Sequence, residues 1–211
     1  MIKLDVPLVI QDPKSNDCGL KCIEMVSKYY NKPELIENIG ELNIDETGVN
    51  ISEIASYLLR YNFEVTFNVF SPEFFNIYDF TISKQNLKNY LKKLSYRSLE
   101  EKEWTEELID FIDLGGKISV KIPDYTLINQ SLLNNLLMIY NCTSRFIYTE
   151  LSPKINYHFM IIKGINSNFV FINDPYKGDI TMKYEHFLYS TYSISNNGFK
   201  SGGILIISPK N

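Results

Sequence analysis

The stretch QDPKSNDCGLKCIEMVSKYY, residues 11–30, joins a polar loop to an amphipathic segment and places a cysteine at the junction. In its second half, apolar residues recur at intervals of three or four positions, which predicts one apolar face of a helix. The polar run SND at 15–17 is typical of a helix N-cap. We therefore expect the helix to begin at Asp17 or Cys18.

The start of a helix is an unusual environment for a thiol. Backbone N–H groups of the first turn are unpaired, and the positive end of the helix dipole lies there. Both features favour a thiolate and hence a nucleophilic Cys18. Gly19 has no Cβ, so we expect it to let a substrate backbone approach the sulfur closely. The alternative is that Cys18 is a small residue of the core, since free cysteines are usually structural.

Length and composition indicate a single globular domain over residues 1–211. The chain has 45% hydrophobic and 22% charged residues, which is ordinary for a folded domain with a substantial core. Its net charge is −4 and its pI is near 5.3. An acidic chain with scattered basic residues argues against nucleic acid or an anionic membrane as the main partner.

Three cysteines do not form a disulfide framework, and the odd number favours a reducing compartment. No histidine pair or second cysteine pair completes a zinc site with Cys18 and Cys22, so no metal or cofactor is expected. The apolar run near the N-terminus is too short for a signal peptide, and no stretch approaches the length of a membrane span. We therefore expect a cytoplasmic protein.

Helical patterns precede strand patterns along the chain, which indicates an α+β fold. In the first third we predict a strand at 2–10, helices at 33–42 and 48–62, and a strand at 63–70. The middle is predicted to contain helices at 84–94, 104–114 and 131–140, a strand at 117–125 and an extended segment at 144–151. The last third is predicted to form a hairpin of strands 157–164 and 168–174, a short helix at 183–192 and a strand at 202–208.

Only two histidines are present, and one of them lies in the predicted hairpin. His158 opens the first strand and Asp174 ends the second, so an antiparallel pairing brings the two residues close together. The carboxylate could then fix the imidazole tautomer and stabilise its charged form. The alternative is that Asp174 merely starts a turn before proline and His158 is a core residue.

The residues around Cys18 and His158 together resemble a known family. The patterns DCGxxCxxMxxxYY and HFxxxxGxxxxxVxxxDPxxG are similar to those of the bacteriocin-processing peptidases that cut double-glycine leader peptides, over about residues 5–70 and 156–192. Those proteins are papain-like cysteine peptidases. The resemblance implies a helical part carrying the nucleophile Cys18 and a C-terminal antiparallel sheet carrying the base His158 and its orienting partner Asp174. It also implies an oxyanion-hole amide from Gln11.

The chain departs from the family pattern in three respects. Gln11 stands seven positions before Cys18, where the family usually shows six. The middle segment, about 71–150, is longer than its counterpart in the leader peptidases. The leader peptidases are also commonly fused to a transporter, whereas no membrane part is expected in this chain. A second resemblance, in DCGLxC and the NDP ending, is to stand-alone proteins named for a supposed guanylyl-cyclase domain. Cyclase activity is not expected, because the sequence has no phosphate-binding glycine loop or paired metal carboxylates.

The resemblance and the residue types together predict hydrolysis of a peptide bond in a dedicated peptide or protein. Acyl transfer to an amine by the same triad and a non-catalytic peptide-binding module are the alternatives. We expect part of 71–150, in particular 84–114, to pack beside the cleft or cover it, or else to enlarge the core.

The remaining candidates for chemistry are interpreted as structural. Cys22 and Cys142 are expected in the core and His186 on the surface. Trp104 is expected in the core or in a groove wall.

Overall fold

The computed structural model describes residues 1–42, 48–69, 84–93, 99–121, 123–143, 157–195 and 203–210. The helices are α1 (Cys18–Tyr30), α2 (Glu34–Glu37), α3 (Ile51–Arg60), α4 (Lys84–Leu91), α5 (Leu99–Asp113), α6 (Tyr125–Leu133) and α7 (Tyr184–Ser195), with a 3₁₀ turn at Ile39–Glu41. The strands are β1 (Ile2–Lys3), β2 (Phe63–Val69), β3 (Lys117–Val120), β4 (Leu137–Thr143), β5 (Tyr157–Ile165), β6 (Phe169–Asp174), β7 (Gly178–Lys183) and β8 (Gly203–Pro209).

The strands form one sheet in the order β3-β2-β8-β4-β5-β6-β7, and β1 pairs with β5. All the pairings are antiparallel except that of β2 with β3. The last strand, β8, lies between β2 and β4 and so joins the N-terminal half of the chain to the hairpin strands. The predicted antiparallel C-terminal sheet is confirmed, and the sheet extends into the first half of the chain.

The helices cover the sheet with their apolar faces. Helix α1 packs against β5 and helix α3 against β2, and α5 packs against α3. Ile23 and Val26 of α1 and Leu58 of α3 are fully buried in the shared core. Within the described part of the chain, no helix has the length and apolar character needed to cross a membrane.

The start of α1 at Cys18 confirms the predicted helix boundary. Asp17 occupies the N-cap position, but its side chain makes no capping hydrogen bond to the helix. Instead its carboxylate accepts a hydrogen bond from the Ser15 hydroxyl. The first intrahelical bond runs from the Lys21 backbone N–H to the Asp17 carbonyl, with an N···O distance of 3.0 Å. The side-chain cap expected from the run SND is therefore absent, while the helix start itself is correct.

The predicted helix at 131–140 is wrong. Helix α6 ends at Leu133, Asn135 adopts a left-handed φ of 55°, and strand β4 begins at Leu137. Strand β4 lies between β8 and β5, and all seven of its residues are buried. A continuous apolar run of this kind cannot be assigned to helix or strand from periodicity alone.

The predicted strand at 2–10 is much shorter in the structure, because only Ile2–Lys3 pairs as β1. The chain beyond it is tied to the hairpin by single bonds. The Leu4 N–H donates to the Lys163 carbonyl at 2.7 Å, and the Asn173 side-chain amide donates to the Val6 carbonyl at 2.8 Å. Through these bonds the N-terminal segment that leads to Gln11 lies against the hairpin. The extended segment predicted at 144–151 lies outside the described residues.

Candidate active site

Cys18 differs from the other two cysteines in its exposure. Its side chain is partly exposed at the first residue of α1, whereas Cys22 and Cys142 are fully buried. Burial raises the pKa of the Cys22 and Cys142 thiols well above the ordinary value. Cys18 is therefore the cysteine that a reagent or substrate can reach, and the two others are core residues as expected.

His158 and Asp174 form a hydrogen-bonded pair. The His158 Nε2 atom lies 2.7 Å from Asp174 Oδ1, within the 2.6–3.2 Å expected for a base and its orienting partner. His158 is the second residue of β5 and Asp174 the last residue of β6, so the hairpin brings them together. Asp174 is fully buried, and its Oδ1 also accepts the Tyr176 backbone N–H at 2.8 Å. That second bond helps to fix the position of the carboxylate next to the imidazole.

The environment of His158 favours its protonated form. Burial lowers the pKa of the imidazole, but the hydrogen bond to Asp174 and the hydrogen bond to Cys18 outweigh burial and raise the pKa to about 9. Because Asp174 engages Nε2, Nδ1 is the ring nitrogen left for the Cys18 sulfur. The imidazole thus interacts with both a buried carboxylate and the Cys18 thiol.

Gln11 is buried and anchored next to the turn that follows Asp174. Its backbone N–H donates to the Pro175 carbonyl at 2.8 Å, and its Nε2 donates to the Ser15 carbonyl at 3.2 Å. The amide nitrogen carries two hydrogens, so one remains beyond the bond to Ser15. Among the described residues, Gln11 Oε1 has no hydrogen-bond partner. These bonds hold Gln11 to Pro175 on one side and to Ser15 within the loop on the other.

The prediction for Gly19 is wrong. Gly19 is buried, and a Cβ added there would lie 2.5 Å from Val49 Cγ1, 3.0 Å from Ile54 Cδ1 and 3.3 Å from Phe159 Cδ2. The missing side chain makes room for protein atoms and not for a substrate backbone. Glycine is needed here because α1, α3 and β5 meet closely at this point.

A cavity of about 50 Å³ adjoins Cys18. Helix α5 contributes Trp104 to its wall, so the middle segment reaches the site beside the cysteine. Leu108 and Phe111 of the same helix are fully buried in the core. Helix α5 therefore does both things expected of this segment. One of its residues lies beside the cleft, and others enlarge the core. The complete cavity lining is Asn16, Cys18, Gly48, Val49, Asn50, Ile51, Trp104, Asn141, Tyr157 and Phe159.

The structure brings Cys18, His158 and Asp174 together and places Gln11 beside the turn after Asp174. His186 is on the surface as predicted, with a side chain 60% exposed. Sequence reasoning missed Asn141, a buried polar residue of β4 that lines the cavity beside Cys18. The available signal was one amide in the apolar run LLMIYNC, directly after the predicted helix at 131–140.

Comparisons with known proteins agree with the resemblance. The model of the peptidase C39 family matches residues 7–76, the N-terminal third of the chain, which confirms the predicted similarity there. The second stretch, about 156–192, lies outside that match. No curated protein matches the chain in a sequence search.

Solved structures show the fold. A double-glycine motif protease from an AMS/PCAT transporter, in complex with the leader peptide, is 18% identical, with a TM-score of 0.50 over 99% of this chain and 94% of that chain. The peptidase domain of Streptococcus ComA, a bifunctional ABC transporter involved in a quorum sensing pathway, is 15% identical, with a TM-score of 0.50 over 100% of both chains. A protein of Bacillus anthracis described as a C39-like peptidase is 12% identical, with a TM-score of 0.57 over 100% of this chain and 98% of that chain. The chain therefore has the predicted α+β, papain-like fold.

Proposed function

We propose that this protein is a cysteine peptidase that hydrolyses a peptide bond of a dedicated peptide or protein. Cys18 acts as the nucleophile, His158 as general base and acid, and Asp174 as the group that orients His158. The observation that carries the proposal is the hydrogen bond of His158 to the buried Asp174 at 2.7 Å, together with the interaction of His158 with Cys18 that helps to raise its pKa. A thiol and a carboxylate that both interact with one imidazole are the arrangement that nucleophilic catalysis requires.

The reaction begins with His158 already holding the proton that it shares with the Cys18 sulfur, as the raised pKa of the imidazole favours. The thiolate attacks the substrate carbonyl carbon, and the resulting oxyanion accepts hydrogen bonds from the Cys18 backbone N–H and the remaining Gln11 amide hydrogen. The imidazolium then donates its proton to the leaving amine, the C–N bond breaks, and a thioester remains on Cys18. Neutral His158 next takes a proton from water, and the hydroxide attacks the thioester. Collapse of this second intermediate releases the acid and returns the proton to the sulfur.

A peptide substrate is supported by two observations. The double-glycine motif protease of the same fold has been crystallised with a leader peptide. In this chain, Trp104 and Phe159 line a cavity beside Cys18. A cavity with aromatic walls next to the nucleophile suits a selected peptide sequence better than general protein digestion.

The proposal is tested with a defined mixture of tryptic peptides, incubated with the wild-type protein and with Cys18→Ala. Mass spectrometry should find new peptide termini with the wild type and none with Cys18→Ala. Cys22→Ala is the matched control, because it removes a buried thiol one turn further along the same helix and should retain cleavage.

Adding hydroxylamine during the same incubation separates hydrolysis from acyl transfer. Hydrolysis predicts mainly carboxylate products, whereas an acyl transferase would yield mainly hydroxamates. Absence of any cleavage, combined with Cys18 reacting no faster than the buried cysteines, would contradict the proposal.

A further inference from the structure

Three exposed apolar side chains belong to two segments that adjoin the candidate catalytic residues. Leu8 and Ile10, which are 41% and 52% exposed, lie in the segment that leads to Gln11. Tyr176, which is 40% exposed, lies in the turn after Asp174. Single exposed apolar side chains need no explanation, but a contiguous group of them marks an interaction site.

The two segments are in contact, so the three side chains form one surface. The residue after Ile10 donates its backbone N–H to the carbonyl of the residue before Tyr176, at an N···O distance of 2.8 Å. Leu8 Cδ2 lies 3.8 Å from the position that a Cβ would take on Gly178, two residues after Tyr176. We call the surface formed by Leu8, Ile10 and Tyr176 the apolar patch.

The backbone of the first segment is open to a partner. Over residues 8–11 the burial alternates, with Leu8 and Ile10 exposed and Val9 and Gln11 buried, as in an extended chain. Among the described residues, none forms a hydrogen bond with the backbone of Leu8, Val9 or Ile10. An extended segment with unpaired backbone groups can bind another extended chain as an added strand. The apolar patch therefore suits an extended peptide.

The apolar patch lies on the leaving-group side of the proposed reaction. Asp174, the orienting partner of His158, accepts the backbone N–H of Tyr176 at 2.8 Å. The leaving amine must lie next to His158, because the imidazolium donates a proton to it. None of the three patch residues lines the cavity beside Cys18. The part of a substrate that carries the leaving amine is therefore the part that reaches the apolar patch.

We infer that the apolar patch binds the substrate segment that follows the scissile bond, in an extended conformation, and selects a large apolar side chain among its first three residues. An extended chain advances about 3.3 Å per residue, so three residues span about 10 Å. The inference rests on the proposed function, because it assigns the leaving-group side of the same reaction.

The test begins with the cleavage sites that the wild-type protein produces in the mixture of tryptic peptides. Large apolar residues should be enriched at one of the three positions after the cleaved bond, relative to the uncut peptides. Two synthetic peptides that differ only at this position, with leucine or serine, are then compared. The value of kcat/KM should be about tenfold higher for the leucine peptide.

Ile10→Ser should reduce the leucine preference to about threefold or less and leave kcat/KM for the serine peptide within about twofold of wild type. Tyr176→Ala changes the other segment, keeps the backbone N–H that binds Asp174, and should have the same effect. Leu133→Ser is the matched control, because Leu133 is 61% exposed at the end of α6 and lies outside the apolar patch. It should retain the wild-type preference.

Cleavage without the apolar enrichment would overturn the inference and leave the proposed function intact, and so would an unchanged preference in folded Ile10→Ser and Tyr176→Ala. A wild-type dimer that Ile10→Ser dissociates without a change in selectivity would show that the apolar patch joins two copies of the chain, which also overturns the inference. Absence of any cleavage overturns it too. If iodoacetamide in addition labels Cys18 no faster than the buried cysteines, the proposed function is refuted as well.

Discussion

Replacing Asp174 by asparagine removes the carboxylate charge next to His158 but keeps an oxygen that can accept the Tyr176 backbone N–H. In the wild type, the hydrogen bond to Asp174 is the largest effect that raises the pKa of His158, and burial is the effect that opposes it. Without the carboxylate, only the interactions with Cys18 still oppose the effect of burial. We therefore expect the pKa of His158 to fall from about 9 toward its ordinary value in Asp174→Asn.

The free energy that favours the protonated form of His158 follows from its raised pKa. A rise from 6.5 to about 9 corresponds to roughly 3 kcal/mol in favour of the imidazolium, at about 1.4 kcal/mol per pH unit. Because the folded-state pKa is raised, this stabilisation is fully present below pH 6.5 and is lost as the pH rises through 9. The free energy of unfolding of the wild type should therefore fall by up to roughly 3 kcal/mol across this window, and the fall should be clearly smaller in Asp174→Asn. The same substitution should lower kcat/KM on the order of a thousandfold.

The measurement is an NMR titration of protein labelled with ¹³C-histidine, supported by urea unfolding at several pH values. The chain has two histidines, and His186→Gln assigns the two signals. Asp179→Asn is the matched control, because its carboxylate binds Lys163 and not His158. A wild-type His158 that titrates near 6.5, or a pKa that is the same in Asp174→Asn, would refute the assigned interaction.

Three other changes give distinct expected results. Iodoacetamide at pH 7 should modify Cys18 before the two buried cysteines, as peptide mass mapping can follow, and equal labelling of all three would contradict its assignment. Gln11→Ala should lower kcat about 100- to 1000-fold and lower the midpoint of thermal unfolding by only a few degrees, through loss of the bond to the Ser15 carbonyl. An unchanged kcat would remove Gln11 from the oxyanion hole. Gly19→Ala should reduce the free energy of unfolding by about 1 to 3 kcal/mol in urea, because its Cβ would lie 2.5 Å from a neighbouring methyl group. Gly40→Ala, where no atom lies within 4 Å of the added Cβ, is the control, and equal losses in the two variants would show that packing is not the cause.

The sequence by itself determined the features that depend on neighbouring residues. The spacing of apolar residues after Cys18 predicted α1 and its start, and the two apolar runs around the turn at 165–168 predicted the hairpin that joins His158 to Asp174. Antiparallel pairing follows from a short turn, so the approach of these two side chains was predictable without a structure. The resemblance to the leader peptidases then added the roles of the residues.

Only the tertiary structure decided what depends on contacts between distant segments. Strand β4 was mistaken for a helix because burial on both faces, between β5 and β8, removes the polar alternation that marks a strand. The role of Gly19 was misjudged because Val49, Ile54 and Phe159 converge on it from other elements. The cavity beside Cys18 likewise depends on α5, the loop before α3 and strands β4 and β5 meeting at one place. Periodicity describes one segment at a time, whereas packing determines which segments meet.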